Sequence, residues 1–181
     1  MKATGVVRKI DDLGRIVIPK EVRRTLRINR GDPLELYIDS DSNIIFKKYS
    51  LIEEISKIIN CLCEAMYKII NLPILICNNE KVVTVSGISK KEYLNRRLAP
   101  FISEFVSLKD IYICDNNPDS RAIFPVEGIK KEALLIAPIN LNKNSIGTVI
   151  VLKNNNESQI PIEIVSKLVE LIATFLSDFL K

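Results

Sequence analysis

The first fifty residues set the tightest limit on how this chain can fold. They read as short β-runs around one brief helix. Fifty residues with so few aromatics bury too little apolar surface to offset the entropy of ordering them. No cysteine lies ahead of Cys61 and the chain has no histidine, so neither a disulfide nor a zinc site staples this part. The remaining common solution is association, with strands of two chains sharing one core. Two-fold pairing would also double whatever surface this part presents.

That surface is basic. Residues 1–50 carry 11 Lys and Arg against 7 Asp and Glu, whereas residues 51–181 carry 15 of each. The whole formal charge of +4 therefore lies ahead of residue 51. Such segregation is the footprint of a polyanion-binding module. A solvated basic face without a partner is the alternative.

Along this stretch Thr4–Ile10 is β-rich and Asp11-Asp12-Leu13-Gly14 signals a turn, with Gly14 free to take positive φ. Arg15–Ile18 reads as a second strand, closed by Pro19, which suits the opening of a helix. Lys20–Arg27 makes about two helical turns, with Val22 and Leu26 on one face. After the Gly31-Asp32-Pro33 turn, Leu34, Leu36 and Ile38 alternate with Glu35, Tyr37 and Asp39, as in a half-buried strand. Asp39–Asn43 turns the chain and Ile44–Lys48 runs back as its hairpin partner.

At Ser50 the pattern changes. Ser50-Leu51-Ile52-Glu53 is a capping-box signature. Ile52, Ile55, Ile59, Leu62, Met66 and Ile69 then recur at spacings of three and four, predicting a helix over 51–71, about 30 Å long. Pro73 ends it. A mixed α/β pattern follows: apolar runs at 74–77, 81–85, 122–126, 133–139 and 145–152, with a helix near Lys90–Arg97. Ser86-Gly87 reads as a plain turn, with a pocket rim as the functional alternative. A last helix opens near Ser158, with Pro161 in its first turn, and Val165, Leu168, Ile172, Phe175 and Phe179 repeat the three/four spacing. Each seam could pack on the domain's own sheet. The faces are broad enough, however, that one side could cover the sheet while the other meets a second subunit.

Composition narrows the function classes. An apolar share of 47% with 27% charged residues describes a folded globular protein. No uncharged apolar run reaches about 18 residues, so no membrane span is expected. Lys2, Thr4, Gly5 and Arg8-Lys9 do not form the apolar core of a signal peptide, so a cytoplasmic protein is expected. Without histidine the commonest general base and the Ser/His and Cys/His pairs are missing. Cys61-Leu62-Cys63 is not a C-x2-C pair. No enzyme activity, metal or cofactor is expected, and Cys77 and Cys114 read as buried, idle thiols.

Four pieces of the first fifty residues fall in register: T-G-x-V-R-K from Thr4, D-x-L-G-R-x-V-I-P from Asp11, E-x-R-R-T-L from Glu21, and the Gly31-Asp32 turn. On these residues the stretch from 1 to about 49 resembles the AbrB-type DNA-binding domain of bacterial transition-state regulators. With its longer second half, the chain is similar to regulators that pair this domain with a GAF-like sensor domain. The resemblance implies an α+β protein. Residues 1–50 would form a swapped-hairpin β-barrel from two interleaved chains. Residues 51–181 would form a GAF-like regulatory and oligomerisation domain flanked by two amphipathic helices, with helix 51–71 as connector.

The implied partner is double-stranded DNA. The contacts carried over are Arg8, Lys9, Arg15, Arg23 and Arg24; Lys2, Lys20 and Arg27 are secondary and read first as surface cations. Arginine forks suit phosphates and guanine edges. By the same resemblance the chain would regulate sporulation genes, as activator and repressor, and would be nucleoid-associated. It would dimerise through the first domain and form a tetramer through the second. The tetramer seam would comprise Ile52, Ile55, Ile59, Leu62, Met66, Val165, Leu168, Ile172, Phe175 and Phe179. The signature of cyclic-nucleotide-binding GAF domains is not recognisable, so the second domain would serve either for dimerisation only or for an unknown small-molecule ligand of unassigned class. A second reading comes from antitoxins, which also use swapped-hairpin domains: the first half would bind DNA and the second a protein partner. Antitoxins usually carry a disordered acidic tail, whereas residues 51–181 are neutral and patterned for folding.

Overall fold

The change of pattern at Ser50 separates two folding units, Met1–Tyr49 and Ser50–Lys181. The computed structural model describes residues 5–26, 28–107, 111–114, 122–142, 144–154 and 160–181.

In the first unit, Leu34–Ile38 (β1) and Ile44–Lys48 (β2) form an antiparallel hairpin, paired from Leu34 with Lys48 to Ile38 with Ile44. Pro19, with φ −58°, opens the short helix Lys20–Thr25 (α1). Glu21 lies in its first turn and Arg23 and Arg24 in its last, the polarity that the helix dipole favours. The β-runs expected over Thr4–Ile10 and Arg15–Ile18 do not appear as strands among their described residues. A run becomes a strand only when another lies alongside to complete its ladder, and among the described residues none does. Among the described residues of this unit, none is buried.

The second unit is a five-stranded sheet with helices on both faces. Its elements are Leu51–Glu54 (α2), Ser56–Ile70 (α3), Ile74–Asn78 (β3), Val82–Ser86 (β4), Lys90–Tyr93 (α4), Ile102–Ser107 (α5), Tyr112–Ile113 (β5), Ala133–Leu141 (β6), Asn144–Leu152 (β7) and Ile162–Phe179 (α6). The strand order is β4-β3-β7-β6-β5, every pair antiparallel. Alternation along each strand feeds two cores. Ile74, Ile76, Val149 and Val151 point to the layer formed with α2, α3 and α6. Leu75, Cys77, Ile150 and Leu152 point to the other, with Tyr93 and Ile102. Covered on both sides, these strands read as continuous apolar runs rather than alternating ones.

Several expectations need correction. The helix expected over 51–71 is broken at Ile55 into α2 and α3. Ser50 does cap the first piece, its hydroxyl accepting from Glu53 N at 3.4 Å. The Glu53 carboxylate, however, accepts from Asn78 Nδ2 at 2.8 Å and pairs with Lys81 at 3.5 Å, which ties this turn to the end of β3. Residues 122–126 are not a strand: Val126 makes an isolated bridge to Leu98, and Pro125 offers no N–H to a ladder.

The expected inter-subunit seam is largely interior. Ile52, Ile59, Met66, Val165 and Ile172 are buried in the domain's own core, and Ile55, Leu62 and Leu168 pack against it. The reason is that α3 and α6 cover the same apolar sheet face, which consumes the three/four stripe of both. Only Phe175 and Phe179 of that set are exposed, beside Ile164 and Leu171.

Candidate nucleic-acid interface

The basic residues of the first unit stand on three segments whose local structure follows from the sequence. Arg8 and Lys9 lie on the exposed run entering the Asp11 turn, and Arg15 leaves it. The turn is built by one side chain. Asp11 Oδ1 accepts from Leu13 N at 3.0 Å and Arg15 N at 2.8 Å, and Gly14 N donates to Asp11 O at 2.9 Å. Gly14 sits at φ +75°, open to glycine without strain. Asp11 Oδ2 accepts from Arg15 Nε at 2.8 Å. The Arg15 backbone N–H, followed by its side chain, holds the Asp11 carboxyl below the usual carboxylate range.

Arg23 and Arg24 are set by α1. Arg24 is exposed, whereas Arg23 is half-buried, and its Nε is buried without a hydrogen-bond partner among the described residues. A buried Nε–H so placed calls for an acceptor beyond these described residues. Lys20 is exposed on the first turn of α1. Lys2 and Arg27 lie outside the described residues. Asp32 accepts from Asn29 N at 2.8 Å and pairs with Lys48 at 3.2 Å, so this acid is spent on the unit's own loop.

Sequence reasoning missed the part played by Asp11. The signal was available as an aspartate followed three residues later by glycine and four later by arginine.

In the second unit Gly87 takes φ +78°, and a Cβ there would lie 2.4 Å from Tyr67 Cε2. Ser86-Gly87 is thus a packed turn, not an open rim. A cavity of about 250 Å³ lies instead between β6 and α6, lined by Pro138, Asn140, Glu170, Thr174 and Ser177 among others. Cys63, Cys77 and Cys114 are buried and Cys61 is exposed. Burial pushes the Cys63 thiol up to about 12 and raises that of Cys77 as well. Among the described residues no helix is long and apolar enough to cross a membrane.

Comparison with known proteins falls along the same division. The family model described as stage V sporulation protein T C-terminal, transcription factor, matches residues 54–180. That described as antidote-toxin recognition MazE, bacterial antitoxin, matches residues 7–52. Stage V sporulation protein T of Bacillus subtilis (strain 168) is 39% identical over 179 residues, covering 98% of this chain and 97% of that protein. Transition state regulatory protein AbrB of the same organism is 63% identical over 49 residues, covering 27% of this chain and 50% of AbrB. The solution structure of the N-terminal DNA recognition domain of B. subtilis AbrB matches at 62% identity, covering 28% of this chain and 92% of that domain, with a TM-score of 0.25.

Proposed function

The chain belongs to the stage V sporulation protein T family of transcription factors, and from that premise we propose that it binds double-stranded DNA through its first unit and regulates sporulation genes, repressing some promoters and activating others. One observation carries this reading. The entire net charge of the chain coincides with the stretch that is 63% identical to AbrB, with Arg8, Lys9, Arg15 and Arg24 exposed on it. Regulation takes place in the cytoplasm, at the nucleoid, and involves no catalysis by this chain.

The first unit acts as a dimer of interleaved hairpins. Val7, Leu13, Val17 and Ile38 are 87%, 74%, 70% and 72% exposed. Surface of that kind is stable in water only when covered, here by the same segments of a second copy. The second unit, GAF-like in its helix–sheet–helix order, joins two such dimers into a tetramer through the exposed Leu171, Phe175 and Phe179 stripe of α6.

The antitoxin match over residues 7–52 supports a second reading, in which residues 51–181 hold a protein partner. A tail that folds on a toxin would not carry two cores of its own, and this unit does. Mapping genome-wide occupancy in sporulating cells, with and without residues 51–181, tests the proposal. Discrete promoter peaks that move with the onset of sporulation are expected. Uniform background occupancy would remove it.

A further inference from the structure

The first unit contains one loop built twice. In the first copy, Asp11 N donates to Arg15 O at 3.1 Å, Gly14 N to Asp11 O at 2.9 Å, and Leu13 N and Arg15 N to Asp11 Oδ1. In the second, Asp39 N donates to Asn43 O at 3.1 Å and Ser42 N to Asp39 O at 3.1 Å. Asp41 N and Asn43 N then donate to Asp39 Oδ1 at 3.0 and 2.9 Å. The fourth residue is left-handed in both, Gly14 at φ +75° and Ser42 at φ +60°. Even the second carboxylate oxygen is used alike, Oδ2 of Asp39 accepting from Asn43 Nδ2 at 3.0 Å as Oδ2 of Asp11 accepts from Arg15 Nε.

The second copy shows what the loop needs in its fifth position. An asparagine suffices, so nothing in the turn itself calls for a guanidinium at 15. The first copy uses only Nε of that group, and the Arg15 side chain remains 68% exposed. A long side chain is thereby held at its inner nitrogen, with the outer fork directed to solvent.

We propose that Asp11 is a positioning residue for DNA binding: its Oδ2 fixes Arg15 through Nε, so that the outer guanidinium fork meets DNA already oriented. The proposal rests on the DNA-binding reading above. Its energetic basis is preorganisation, since a side chain ordered before association loses less freedom on binding. The charge-assisted Nε–H to carboxylate bond is of the strong kind. The depressed Asp11 pKa agrees, as the carboxylate stays ionised through the range in which binding would be measured.

The sign of one substitution separates this role from its rivals. Asp11→Asn keeps an Oδ1 acceptor for the Leu13 and Arg15 amides, but replaces the Oδ2 acceptor with an amide donor. It also removes a negative charge beside the DNA-facing arginines. A bystander acid would therefore give tighter binding when neutralised, whereas a positioning acid gives weaker binding. With the full chain and a fixed A·T-rich duplex at low salt, fluorescence anisotropy is expected to show about threefold to tenfold weaker binding for Asp11→Asn. The salt slope should match that of the parent. Asp39→Asn, the same change in the twin loop, should bind as the parent does. In an Arg15→Ala background, Asp11→Asn should cost nothing further.

Equal or tighter binding by Asp11→Asn, or an equal loss without Arg15, would overturn the proposal. Should Asp11→Asn lower the melting temperature, NMR of the parent chain decides: a slowly exchanging Arg15 Nε–H is expected in the free protein, and a freely exchanging one overturns the proposal. If the parent fails to bind duplex, the DNA-binding reading falls and this inference with it; if Arg15→Ala binds as tightly as the parent, this inference alone falls. If Arg15→Ala weakens binding and Asp11→Asn does not, this inference alone falls.

Discussion

Arg15 and Arg24 are exposed and Arg23 is half-buried, in a unit with no buried residue among those described, so their loss should cost binding and little stability. Replacing any one with alanine is expected to weaken DNA binding while the melting temperature stays nearly constant. For every phosphate no longer engaged, the salt slope should fall by about one unit per subunit, through counterion release. A triple alanine variant that still shifts DNA normally at low salt would remove the assignment. Acid supplies a further check. Because the folded Asp11 carboxyl is held below its ordinary value, its contribution is complete above the unfolded carboxylate range and is lost as pH falls through the folded value. Binding by the parent should thus keep its Arg15 component down to the ordinary carboxylate pKa and lose it only below. The cysteines give a test of packing. Near neutral pH a maleimide should label Cys61 alone, because Cys63, Cys77 and Cys114 are buried and only an accessible thiolate reacts. All four should label in denaturant, and rapid native labelling of Cys63 would contradict the α3–sheet packing.

The two long helices, α3 and α6, now divide their apolar residues into an interior set and an outer one. Ile59 is fully buried, so Ile59→Glu places an unpaired carboxylate in the core, at a cost of about 3 kcal/mol or more. A large fall in the melting temperature of the second unit should follow. Leu171 and Phe175 are 66% and 45% exposed, and Phe175 stacks on Phe179 with ring centroids 5.8 Å apart. Replacing Leu171 and Phe175 with glutamate should leave the fold intact and, if the α6 stripe joins dimers, halve the mass seen by light scattering. An unchanged mass in the folded double variant would show that the stripe does not join dimers.

At the scale of the whole molecule, the interleaved dimer proposed for the first unit implies that this unit should not fold as an isolated chain. A 1–50 fragment should melt at a temperature that rises with concentration, because folding is then coupled to association. A monomeric fragment that unfolds cooperatively would contradict the interleaved barrel. If two dimers are joined by the second unit, a second DNA-binding head acts at raised effective concentration. Long duplexes should then be bound more tightly than short ones, and the Leu171/Phe175 variant should lose that preference while still binding short duplexes.

Much of this was legible in the sequence because the signals are local. The division at Ser50, the turns at Asp11–Gly14 and Asp39–Asn43, the helix after Pro19 and the apolar runs of β3, β6 and β7 each depend on neighbouring residues. The concentration of charge ahead of residue 51 needed only counting. Periodicity could say that Ile59 and Val165 belong to apolar stripes, but not which surface covers them. That was decided when α3 and α6 came to lie on one sheet face, by packing between residues far apart in the chain. The Arg15 Nε–Asp11 Oδ2 bond was likewise invisible, since spacing places the two side chains within reach without choosing the rotamers that join them. The missing strands of the first unit mark the other limit: a β-run specifies its own extended backbone, whereas its partner is chosen by tertiary or quaternary structure, because each ladder hydrogen bond needs a second strand to accept it.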